Sequence, residues 1–137
     1  MAIKVGDVFN YPGTESGDSY YSKGGWHIHI VVGIDEIRGD AYLVPLSTVL
    51  YRDKTCEIDV KDGCPSVTER CVVAYFHGKK ITLDALRERG VFSGPAPKEL
   101  IARVIAGVVT SSGSPDWLKN AICPPPARRG RILPASG

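Results

Sequence analysis

Two neighbouring stretches decide the fold: Trp26-His-Ile-His-Ile-Val-Val-Gly-Ile34 and Ala41-Tyr-Leu-Val-Pro-Leu46. Both are short apolar runs, rich in β-branched and aromatic residues and bounded by turn formers. That pattern reads as strand, turn, strand. The same alternation of apolar run and turn recurs outward along the first half, predicting further strands at Val8–Tyr11, Cys56–Val60 and Arg70–Phe76. Residues 12–25, PGTESGDSYYSKGG, separate the first two strands. They are too polar for a core and too long for a tight turn, a composition that predicts a long hairpin loop of the kind that often carries function.

The second half changes period. Thr82-Leu-Asp-Ala-Leu-Arg-Glu-Arg-Gly90 predicts a short helix, with Thr82 as N-cap, Asp84 near the positive end, Arg87 and Arg89 near the negative end, and Gly90 as a left-handed C-cap. From Lys98 to Val109, Leu100, Ile101, Val104, Ile105 and Val108 recur at three- and four-residue spacing. This predicts a second amphipathic helix, with Pro97 suited to its first position. The expected architecture is α+β, a small SH3-like antiparallel β-barrel with two C-terminal helices packed on it. One domain is expected over residues 1–120, followed at 121–137 by a Pro/Arg-rich flexible tail.

Composition agrees with one soluble domain. The chain has 137 residues and is 43% hydrophobic, enough to bury a core without help from disulfides or metal. No apolar run approaches the roughly 18 residues of a membrane span, and Lys4 and Asp7 interrupt the start where a signal peptide would be apolar. The expected location is the cytoplasm, with no membrane partner. The cysteines at 56, 64, 71 and 123 form no CxxC pair and have no histidine at finger-like spacing. They read as reduced thiols, buried at Cys56 and Cys71 and exposed at Cys123, and no metal or cofactor is expected. Three of the 17 basic residues, Arg128, Arg129 and Arg131, lie beyond Ala121, where there is no acid, so the chain before them carries 14 basic and 15 acidic side chains. A core so close to neutral is no general nucleic-acid binder and would need local contacts to hold RNA.

Three clusters can carry chemistry. His27 and His29 alternate along one strand and so share a face, where a group titrating near neutrality can serve as general acid or base. The alternative is a pair of sheet histidines hydrogen-bonded in place. Ser47 and Thr48 follow Pro45, which has no N–H and marks a bulge or edge, so both hydroxyls sit where the strand leaves the sheet. They suit phosphate contact or turn capping, for no nucleophile elbow surrounds them. His77-Gly-Lys-Lys80 reads as a surface turn in which His77, Lys79 and Lys80 either bind phosphate or face water. Phosphate-loop, Rossmann, HExxH and EF-hand signatures are absent, as are converging carboxylates.

The order of these features resembles the MazF/PemK-like toxins of toxin–antitoxin pairs. Lys4-Val-Gly-Asp-Val-Phe9 is similar to the opening strand of that family, and Gly24–Val32 to its Gly-rich loop and apolar strand. Val44-Pro-Leu-Ser47 is similar to its strand ending in a hydroxyl, and Cys71–Val109 to its closing strand, short helix and amphipathic helix. The similarity spans residues 3–110. The resemblance implies a homodimeric SH3-like barrel that cleaves single-stranded RNA without metal, the 2′-hydroxyl attacking the adjacent phosphate to leave a 2′,3′-cyclic end. It further implies a cognate antitoxin partner. The family's catalytic arginine and its proline fall on His27 and Ile28, and its hydroxyl falls on Ser47. The roles implied are therefore His27 as general base or acid and Ser47 on the scissile phosphate, with Thr48, His29, His77, Lys79 and Lys80 on RNA. Trp26, Tyr20 and Tyr21 would stack on unpaired bases. Two other classes fit the same barrel: a non-catalytic binding module, and a toxin that inhibits a protein target.

Overall fold

The computed structural model describes residues 2–12, 26–50 and 53–124. Tyr20, Tyr21 and the tail from residue 125 lie outside the described residues. The described chain folds as β1 (Asp7–Pro12), β2 (Trp26–Asp35), β3 (Asp40–Ser47), β4 (Glu57–Ile58), β5 (Cys71–Val73), β6 (Lys79–Thr82), α1 (Leu83–Arg89), β7 (Val91–Pro95), α2 (Lys98–Thr110) and α3 (Asp116–Ile122). The seven strands form one curled antiparallel sheet in the order β4-β5-β3-β2-β1-β7, with β6 paired to β3 beside β5. An α+β fold with an SH3-like antiparallel β-barrel and two helices was expected; the fold is α+β, the sheet curls into a half-barrel, and a third helix is added. The last helix, α3, ends at Ile122.

The sheet is buried on both faces, which explains why β2 reads as a continuous apolar run. Val8, Ile30, Val32, Val44 and Leu46 face a large core closed by Leu100, Val104 and Val108 of α2 and Leu118 of α3. Their sequence neighbours Phe9, Val31 and Leu43 face a second core closed by Leu86 of α1. Period-two alternation thus sorts apolar side chains between two cores rather than between core and solvent.

Both predicted helices form, with differences at two caps: Pro97, expected at the first position of α2, stands one residue earlier as its N-cap, and Gly90 departs from the left-handed conformation. The Thr82 hydroxyl accepts the Ala85 N–H at 3.0 Å. Gly90, however, is extended (φ −84°, ψ 152°) rather than left-handed, because the chain runs directly into β7. Glycine is needed there for space: a Cβ would stand 2.8 Å from the Leu86 carbonyl and 3.0 Å from the Phe9 ring. Gly107 on α2 has a similar role, since a Cβ would overlap the hydroxyl of Tyr75, which is fully buried and donates to the Val104 carbonyl at 2.6 Å. Gly107→Ala is accordingly expected to destabilise the fold by about 1–3 kcal/mol, the usual range for overpacking. Urea denaturation checks this; an unchanged midpoint would mean that α2 shifts at no cost.

Candidate active site

Pro45 creates the site. The β2–β3 ladder runs from Asp35↔Asp40 to His29↔Pro45 and no further. Pro45 has no N–H to extend it, and its carbonyl accepts from Ala74 N at 2.8 Å on the other side. Beyond that point Leu46 and Ser47 pair with Val73 and Val72 of β5, while β2 continues against β1 as far as Pro12↔Trp26. The two strands therefore part company, and the gap between them is a cleft of about 370 Å³.

One wall of the cleft is Trp26, His27 and Ile28 on β2, and the next is Leu46, Ser47, Thr48 and Val49 at the end of β3. Four residues chosen from the sequence, Trp26, His27, Ser47 and Thr48, meet there. Trp26 is 53% exposed, an aromatic face open to a ligand. His27 is half-buried, and Thr48 is exposed. Ser47 is only 6% exposed, and its Oγ accepts the Val49 N–H at 3.0 Å, tightening the turn that leaves the sheet. With that lone pair used, the hydroxyl proton can be donated to a ligand oxygen.

The third wall, Ser66, Val67, Thr68, Glu69 and Cys71, was not identified from the sequence. It is a loop without any motif, and its signal is conformational. Ser66 has φ 72°, the one non-glycine residue with positive φ among the described residues, a conformation that costs about 1–3 kcal/mol and persists where surroundings enforce it. Its Oγ donates to Ser93 Oγ at 2.9 Å, and Asn10 Nδ2 donates to Ser93 Oγ at 3.1 Å. Ser93 is the extra residue where the β1–β7 register slips between Val8 and Phe9. Burial raises the Cys71 thiol to about 12, helped by the neighbouring Cys64 and Cys56, so it stays neutral in the cleft. Among the described lining residues the only formal charge is that of Glu69.

The remaining predicted contacts lie elsewhere. His29 does share the face of His27, but it is fully buried, its ring edge-on to Tyr11 at 6.0 Å. Its Nδ1 is 2.8 Å from the His27 carbonyl, which can only accept, so Nδ1 carries the proton. Desolvation, with the nearby Lys79 charge, lowers its pKa to about 3. A neutral core histidine cannot hold a phosphate, and the RNA-contact role for His29 is corrected. His77 ends a single 3-10 turn, Tyr75–His77, and lines a second cleft of about 620 Å³ with Asp53, Lys54 and Phe76. Lys79 and Lys80 are not turn residues at all. They belong to β6, opposite Leu43 and Tyr42, and Lys79 Nζ lies 5.8 Å from the Tyr11 ring centroid. A polar edge strand resembles a turn in sequence, which accounts for the error. Cys56, Cys64 and Cys71 are buried and free, while Cys123 is half-buried rather than exposed.

A curled antiparallel sheet closed by helices, with a hydroxyl- and histidine-lined cleft where β3 leaves β2, places the chain among proteins of the MazF fold. No family model and no curated protein matches the sequence. The structure is similar to MazF from Deinococcus radiodurans, with a TM-score of 0.56 and 16% identity over 80% of this chain and 96% of that one. It is similar to a MazE–MazF structure from the same organism, with a TM-score of 0.53 and 16% identity over 79% and 94% of the two chains. An endoribonuclease in complex with its cognate antitoxin, from a mycobacterial species, follows with a TM-score of 0.50 and 17% identity over 81% and 93%. At such identity it is the fold that is shared, as the motif order in the sequence implied. No helix among the described residues is long and apolar enough to cross a membrane.

Proposed function

We propose that this chain is a metal-independent endoribonuclease toxin that cleaves single-stranded RNA by attack of the 2′-hydroxyl on the adjacent phosphate, leaving a 2′,3′-cyclic end. The observation that carries the reading is the meeting of Trp26, His27, Ser47 and Thr48 in one cleft of a MazF-like fold. His27 transfers a proton, Ser47 and Thr48 donate to phosphate oxygens, and Trp26 stacks on an unpaired base. The protein would act in the cytoplasm as a homodimer. A cognate antitoxin is a further part of the proposal, supported by two neighbours that are toxin–antitoxin structures; it would block the same cleft with an acidic or aromatic segment.

A binding module is the second reading. It is favoured by the replacement of the family arginine with His27 and by the absence of Lys or Arg among the described lining residues, which leaves phosphate recognition to hydroxyls and backbone N–H groups. Mapping of 5′ ends in total RNA after incubation with purified protein in EDTA separates the two. Cuts at one short motif with cyclic-phosphate ends are expected; RNA left intact would overturn the nuclease. Growth arrest on induction without new RNA ends would instead indicate a protein target.

A further inference from the structure

We propose that Glu69 is the second proton-transfer group of this cleft, taking the proton from the attacking 2′-hydroxyl while His27 gives one to the leaving oxygen. The inference rests on the nuclease reading above. Cyclising cleavage without metal needs both a base and an acid. The described walls of the cleft hold three titratable side chains: His27, Glu69 and Cys71. Cys71 stays a neutral thiol, which leaves His27 on the β2 wall and Glu69 on the loop wall. Apart from His27 when protonated, the only charged residue among the described lining residues is thus a carboxylate, which opposes RNA binding and so calls for a chemical role.

The loop that carries Glu69 is held firmly. Cys64 and Val67 are buried at its base, and Val67 N donates to the Cys64 carbonyl at 3.2 Å. Ser66 is clamped to Ser93, and Cys71 pairs with Ile58 at the start of β5. Glu69 itself is exposed and can meet a substrate. Such a position, between two anchored points, is what preorganised proton transfer requires.

In the step, the Glu69 carboxylate takes the 2′-hydroxyl proton as O2′ forms a bond to phosphorus. The P–O5′ bond breaks, its electron pair stays on O5′, and the His27 imidazolium protonates that oxygen. The products are a 2′,3′-cyclic phosphate and a 5′-hydroxyl. Solvent then returns the proton from Glu69 to His27.

The test compares RNA oligonucleotides carrying the ordinary 5′-oxygen with ones carrying a 5′-bridging sulfur, whose thiolate leaves without being protonated. Wild type, His27→Ala and Glu69→Gln are each measured at saturating substrate, with thermal unfolding as a check on folding. If the assignment holds, the sulfur substrate restores cleavage by His27→Ala to near wild type, whereas Glu69→Gln remains at least 100-fold slow on both substrates. Three results would overturn it: a wild-type kcat for Glu69→Gln, rescue of Glu69→Gln by sulfur, or a change only in KM or in the preferred motif, which would make Glu69 a base-recognition contact. Cleavage of neither substrate by the wild type would instead remove the nuclease reading itself, and this assignment with it.

Discussion

Replacing His27 by alanine is expected to lower RNA cleavage by roughly 10²–10⁴-fold, the usual contribution of one general acid or base. The side chain is half-buried in the lining of the cleft, and alanine there removes the proposed proton donor without opening the core. Thermal unfolding should therefore stay close to wild type. Ser47→Ala is expected to match the loss of activity through a different cause. Its hydroxyl is held by the Val49 N–H at 3.0 Å, so the direction of its remaining proton is set by the fold. On the proposed mechanism, removing it deletes a preoriented phosphate contact that gains strength as charge builds on the transition state. The same change leaves Val49 N–H without its acceptor, which costs about 1 kcal/mol of stability. Cleavage rates of the two variants, read beside their urea midpoints, check both statements. Full activity in either variant would remove that residue from the mechanism.

Acid should unfold this protein through His29. Its pKa is 6.5 in the unfolded chain and about 3 in the fold, mainly because burial penalises the charged ring. The unfolded state therefore binds a proton that the native state refuses, and stability falls as pH drops below 6.5. The stabilisation from keeping His29 neutral is fully present above that value and is lost progressively toward pH 3. Between pH 7 and pH 5 the loss amounts to about 2 kcal/mol, because the one-proton slope of roughly 1.4 kcal/mol per unit applies only below 6.5. His29→Gln keeps a donor for the His27 carbonyl but cannot ionise. It should be less stable than wild type at pH 7 yet lose less between pH 7 and pH 5, and denaturant titrations at both pH values test the contrast. Equal slopes for the two proteins would mean that His29 accepts its proton in place.

The two histidines also show where sequence reading ends. Period-two spacing placed them on one face of a strand, and the structure agrees. Depth along that face is another matter. His27 lies past the end of the β2–β3 ladder, whereas His29 is the last paired position, enclosed by Tyr11 and the second core. Local pattern carries orientation but not the packing of β1 against the ring. Missed elements have similar causes. Val91-Phe-Ser-Gly-Pro95 looks like a turn because Ser93 bulges and Gly94 takes φ 125°, yet it pairs with β1. Lys79–Thr82 is too polar to announce a strand, and α3 is only seven residues long.

By itself the sequence determined the strands β1 to β3, the capped helix α1, the amphipathic α2, and the break at Pro45, because apolar periodicity, cap residues and a missing N–H act locally. It also singled out Trp26, His27, Ser47 and Thr48. Only the tertiary structure decided that these four share a cleft, that Ser66 and Glu69 close it, and that His29 belongs to the core. Those outcomes depend on contacts between segments far apart in the chain, such as Asn10 and Ser66 with Ser93, whose residue types carry no mark of their partners until the sheet curls and brings them together.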